Sequence, residues 1–180
     1  MLARTHSLVA VASLAGIAYY MQTEALGVTT IVLCLIFNTI GSLLPDTDQR
    51  SNKLWDLFPG GEMVARVFGV FMKHRGISHS ILGAFLASKL IHWFTTNVLN
   101  TSFLETNLIY WSTMVGYVSH IVADSLTEEG VPLLFPIRIN FGLPPIRSWR
   151  IKTGGWFENW IFVPLTILTT VLFVSLYWRK

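Results

Sequence analysis

Charge is what this chain has least of. Only 13% of its 180 residues are Asp, Glu, Lys or Arg, against about 25% in an ordinary soluble domain. Hydrophobic residues make up 52% and the mean hydropathy is +0.54, which excludes a disordered chain and argues against a free soluble globule. Cysteine is scarce as well. The lone Cys34 excludes an intramolecular disulfide framework and any cysteine-rich zinc site; it reads as an inert buried thiol. The sequence has no internal repeat and no low-complexity tract. Its net charge of +3 fits the basic loops of a polytopic membrane protein rather than nucleic-acid binding.

What the chain does have is apolar runs. About 20 apolar residues cross a bilayer core, and five segments approach that length: 7–21, 26–44, 78–95, 108–123 and 160–178. The first follows Arg4 and His6 without a signal-peptide cleavage pattern, so it is expected to be retained. Pro45 ends the second, because proline cannot continue a helix. The third carries Lys89 and His92 and is the least apolar; the fifth has no charge and aromatic residues at both ends. Between the second and third runs, Glu62, Arg66 and Lys73 fall on one stripe opposite Val64, Val67, Phe68 and Phe71, which predicts an amphipathic helix on the membrane surface. The stretch 128–158 is rich in Pro and Gly, and alternation around Ile137 to Phe141 allows a short hairpin. The expected fold is therefore an all-α polytopic membrane protein, one integral membrane domain over residues 1–180. It has about five transmembrane helices, a surface amphipathic helix and a Pro/Gly-rich loop.

Five spans put the N-terminus and the 45–77 and 124–156 loops on one side. That side carries ten of the thirteen basic residues, against Arg179 and Lys180 on the other, with Lys89 inside a span. A bias of ten to two predicts that the basic side is cytoplasmic.

The few acids and histidines are sorted in the same way. His6 opens the first run, Asp46 and Asp48 follow Pro45, His74 and His79 bracket the start of the third run, and His120 and Asp124 close the fourth. All seven fall at the cytoplasmic ends of their spans, so four separate segments converge at one end of the bundle. His120 and Asp124 are i, i+4 and share a helix face. Asp46 and Asp48 can aim at a common point from an extended turn. His74 and His79 fit together if Ser78 caps the third helix and His74 lies in the preceding loop. Imidazole and carboxylate without sulfur suit Zn, Mn or Fe. Seven ligands are too many for one tetrahedral ion and suit two divalent ions bridged by a carboxylate. Taken singly, His6 reads as an interfacial residue and His120 with Asp124 as a hydrogen-bonded pair. Together they point to a shared site, because ionisable groups within a membrane are expensive. His92 lies away from the cluster and reads as structural. Glu128 is a candidate general base and Arg75 a candidate partner for an anionic substrate group; a solvated charge run and plain positive-inside topology are their respective alternatives. Glu158 opens the fifth run, where it favours the helix dipole.

The blocks Pro45-Asp46-Thr47-Asp48, His74-Arg75-Gly76-Ile77-Ser78-His79-Ser80 and His120 to Asp124 running on to Pro136, with His6 before them, resemble the YdjM-like family of bacterial membrane-bound metal-dependent hydrolases. The resemblance continues weakly through Thr153-Gly154-Gly155 to Glu158 and so covers most of the chain. It implies a multi-pass protein of the bacterial inner membrane. By motif, it implies a metal-binding role for His6, Asp46, Asp48, His74, His79, His120 and Asp124. The expected chemistry is hydrolysis of a phosphate ester in a lipid or lipid-linked substrate at the cytoplasmic face. A metal-ion transporter or sensor and a scaffold with a structural metal are the competing expectations. The sequence leaves the oligomeric state open.

Overall fold

The computed structural model describes residues 1–21, 26–48, 76–99, 104–137 and 139–179, with Asp48 described in its backbone only. Among these residues five α-helices form: α1 (Ala3–Met21), α2 (Val28–Leu43), α3 (Ile81–Asn97), α4 (Thr106–Ser125) and α5 (Val163–Trp178). A π-helical turn, Glu158–Phe162, leads straight into α5, giving a continuous helix of 21 residues with a mean hydropathy of 2.0 over its most apolar window. It is the one helix among the described residues long and apolar enough to cross a membrane; α2 is apolar but shorter. The predicted amphipathic helix at 62–73 lies outside the described residues.

The helix boundaries follow local chemistry. Leu44 closes α2 by donating its N–H to Ile40 and Gly41, and Pro45 then turns the chain into a 3-10 segment, Pro45–Asp48. The third helix starts later than the sequence suggests. Ser80, not Ser78, is its N-cap, its Oγ accepting the Gly83 N–H at 3.0 Å. Ser78 instead lies in a 3-10 turn, Ile77–His79, held by the Tyr117 hydroxyl donating to the Ser78 carbonyl. Two serines precede the apolar run, and only the backbone path decides which one caps.

The central helix is α4, which packs against α1, α2 and α3, while α5 lies along α1. The α2–α4 contact is lined by small and polar residues rather than by large hydrophobes: Asn38, Gly41 and Ser42 face Ser112, Thr113 and Gly116, all buried. A Cβ on Gly41 would run into the Thr113 carbonyl, and one on Gly116 into that of Asn38. The two backbones therefore touch, as in membrane-protein helix pairs built on small residues. This close crossing carries the Pro45 turn onto the C-terminal half of α4.

Beyond α4 the chain makes an ordered cap, and the short hairpin that the alternation allowed around 137–141 amounts to one antiparallel bridge at Phe141. Val131 and Phe141 form a single antiparallel bridge and Thr127 and Ile151 a parallel one. Val131 is fully buried against Tyr117 and Ile121.

Candidate metal centre

Five of the seven predicted ligands meet at one point. His6 comes from the first turn of α1, Asp46 from the turn after α2, His79 from the turn before α3, and His120 and Asp124 from one face of α4. The His79 and His120 Nε2 atoms lie 3.2 Å apart. Asp46 Oδ1 is 3.4 Å from His79 Nε2 and 3.7 Å from His120 Nε2. Asp124 Oδ2 is 3.8 and 3.9 Å from the same two nitrogens, while its Oδ1 is 3.2 Å from His6 Nε2. Asp124 Oδ1 also accepts from the Met1 amino group. Two groups result, His6–His120–Asp124 and Asp46–His79–His120, and they share His120.

These separations fit a cation. Ligand atoms at about 2.0–2.1 Å from one ion stand about 3.0–3.4 Å apart, close to the observed spacing. The hydrogen-bond pattern points the same way. His120 Nδ1 is 2.6 Å from the Ser42 carbonyl, which has no proton to give. Nδ1 is therefore the donor, and Nε2 turns an unprotonated lone pair toward the cluster, the arrangement typical of metal-ligating histidines. His6 lies stacked on His120, ring centroids 3.6 Å apart and 12° from parallel. It is buried with neither ring nitrogen hydrogen-bonded. Its Nε2 faces the Asp124 carboxylate at 3.2 Å without hydrogen-bond geometry, a place that a shared ion would fill. Burial opposes charge on Asp46, but the hydrogen bond from His79 and the neighbouring imidazoles of His120, His79 and His6 outweigh it and hold its pKa down to about 2. Asp46 is thus an anion throughout the physiological range.

Among the five ligands Asp46 is the most exposed. The Asp46 side chain is 17% exposed, against 2% or less for the other four ligands. The Asp48 backbone belongs to the same turn. His74 and Arg75 lie outside the described residues. Glu128 is half-buried just past Asp124, with its N–H donated to the Ile151 carbonyl, and belongs to neither ligand group.

Sequence reasoning left the supporting residues largely unread. Glu158 is fully buried and accepts three hydrogen bonds. Oε1 takes the Thr5 hydroxyl at 2.6 Å and the Leu2 N–H at 2.9 Å, and Oε2 takes the Gly154 N–H at 2.7 Å. It ties the first turn of α1, and hence His6, to the start of α5. Its position at the head of an apolar run signalled a dipole role, but nothing in the sequence pairs it with Thr5. Ser42 acts through its carbonyl, which no side-chain pattern reveals. Glu158→Ala is expected to cost about 2–4 kcal/mol, two or more lost hydrogen bonds to a charged acceptor, and to lower metal retention in the His6 group first. Thermal unfolding together with metal content of the purified variant checks both; unchanged metal content would remove Glu158 from this role.

The family model described as YdjM inner membrane protein matches residues 1–180. The chain is 30% identical over 178 residues to the uncharacterized protein YvsG of Bacillus subtilis, covering 98% of this chain and 97% of that one. It is 39% identical over 126 residues to the inner membrane protein YdjM of Escherichia coli, covering 69% of this chain and 59% of that longer protein. No solved structure matches it.

Proposed function

The chain belongs to the YdjM inner membrane protein family, and from that premise we propose that it is a multi-pass, bilayer-embedded, metal-dependent hydrolase of the bacterial cytoplasmic membrane. Its substrate is a phosphate ester of a lipid or lipid-linked molecule, taken at the cytoplasmic face. The observation that carries this reading is the pair of ligand groups sharing His120, built from four segments, with Asp46 their most exposed member among the described residues. The apolar outer surface supports the membrane setting: Leu165, Leu168 and Val171 on α5 and Phe85, Leu90 and Trp93 on α3 are all more than half exposed, a surface suited to lipid.

The donor set fits divalent Zn, Mn or Fe; His120, with one free lone pair, would ligate one ion, and a second would be bridged to it by a carboxylate. Such ions supply Lewis-acid activation of water and neutralise charge developing on a phosphoryl group. The chain's own residues do the rest. The Ser42 carbonyl fixes the His120 tautomer, and Glu158 fixes the turn that carries His6. Asp46 holds the solvent-side edge where water and substrate meet the site. Glu128, half-buried just beyond Asp124, is assigned the proton-accepting role, and Arg75 the orientation of the anionic substrate group.

The purified protein in mixed lipid vesicles is expected to release phosphate or a phosphorylated headgroup from a phospholipid or an isoprenyl phosphate. Chelation should abolish turnover, and added Zn²⁺ or Mn²⁺ should restore it. A metal-loaded protein that turns over no phosphoester, yet carries metal across a proteoliposome membrane, would replace this reading with transport.

A further inference from the structure

The cap that follows α4 has an outer surface the metal site does not use. Leu143, Ile146, Trp149 and Trp156 are 60%, 50%, 72% and 68% exposed, and Arg147 and Lys152 are exposed between them. Large apolar side chains exposed together in this way mark an interaction surface. The backbone beneath them is already satisfied. Leu143 N–H donates to the Ser125 carbonyl, Ile151 N–H to that of Leu126, and Arg150 N–H to that of Arg147. The Arg150 guanidinium also holds the Pro144 and Pro145 carbonyls. The patch is therefore a fixed relief of side chains rather than backbone in search of pairing.

We propose that this cap is a membrane-interface foot whose partner is the anionic headgroup layer of the same leaflet that α5 enters. Three features select that occupant. In sequence the patch leads directly into the apolar helix, with Trp156 (68% exposed) just before it and Trp160 (71%) in its first turn; tryptophan favours the headgroup level. Its exposed charges between Ile146 and Trp156 are Arg147 and Lys152, basic only, which matches anionic lipid. Internally satisfied backbone is what irregular structure needs at membrane depth. Apolar side chains of such a surface reach about 5–10 Å below the headgroup boundary. The inference does not depend on the metal site or on any hydrolysis.

The test uses the full-length protein with Cys34→Ala and one added cysteine, Trp149→Cys or, as a water-facing control, the exposed acid Glu129→Cys. Each carries an environment-sensitive fluorophore and is placed in phosphatidylcholine–phosphatidylglycerol vesicles. The label at position 149 is expected to emit to the blue of the control and to be quenched more by lipid brominated near the headgroup than by lipid brominated at the chain ends. Brominated phosphatidylglycerol should quench it better than brominated phosphatidylcholine. Arg147→Gln with Lys152→Gln should bring that last ratio towards one, with about a fivefold loss of anionic preference per charge removed. Water-like emission at position 149 without lipid quenching would overturn the proposal. So would efficient disulfide cross-linking of two chains through that cysteine, since a second copy would then cover the patch.

Discussion

Replacing His120 by alanine is expected to cost the site more metal than any other single histidine change. Its Nε2 lies 3.2 Å from His79 Nε2 and within 4 Å of both carboxylates, and it is the residue common to the two groups. His6→Ala and His79→Ala each remove a ligand from one group only. Metal content should therefore fall furthest in His120→Ala, whose one free Nε2 lies within reach of either group, and less in each of the others. Supporting residues of metal sites cost about 10–100-fold in affinity or activity when lost, so phosphoester turnover in His120→Ala should fall by more than that. Ser42 contributes through its carbonyl, so Ser42→Ala should leave metal content nearly unchanged, a useful contrast. Equal metal loss in all three histidine variants would argue for a single ion.

The second large effect is expected one helical turn from the ligands, at the α2–α4 crossing. Gly116→Ala puts a methyl group against the Asn38 carbonyl, and Gly41→Ala puts one against that of Thr113. Both obstacles are helix backbone, which cannot rotate away as a side chain can. Overpacking a core costs typically about 1–3 kcal/mol, and separating two touching helices belongs at or above the top of that range. Against a total stability of about 5–15 kcal/mol this should lower the unfolding midpoint sharply. It should also stretch the Ser42–His120 hydrogen bond and displace Asp46, so metal affinity falls with it. Gly16→Ala supplies the comparison. Its Cβ would meet only the Phe173 ring, at 3.3 Å, and a ring can shift. Thermal unfolding of the three variants in the same detergent checks the order.

The sequence carries much of this architecture in plain view, for identifiable reasons. Apolar runs locate the five helices because few other residues compete for those stretches. Scarcity of charge makes each remaining acid and histidine conspicuous, and His6, Asp46, His79, His120 and Asp124 do meet. The remainder depends on partners that no single segment encodes. Ser78 and Ser80 look alike before the apolar run, yet one caps α3 and the other lies beside His79, its Oγ 3.1 Å from Nδ1. The glycines of α2 and α4 are visible as letters, but that Gly41 and Gly116 lie at a backbone crossing follows only from how the helices cross. Glu158 reads as a helix-start acid until Thr5 and Leu2 are seen to donate to it. The bridge between Val131 and Phe141 joins residues ten apart through a turn, and the local alternation at 137–141 gives no sign of Val131 as the partner.

X-ray absorption at the metal edge of the purified, metal-loaded protein tests the central claim most directly. The account predicts a shell of nitrogen and oxygen at about 2.0–2.2 Å with imidazole scattering and no sulfur. A second metal should appear at roughly 3.5–4 Å, as in binuclear hydrolase sites. A protein that retains no metal after loading and gel filtration, or whose metal shows sulfur or only solvent around it, would contradict a His/Asp metal centre in this bundle.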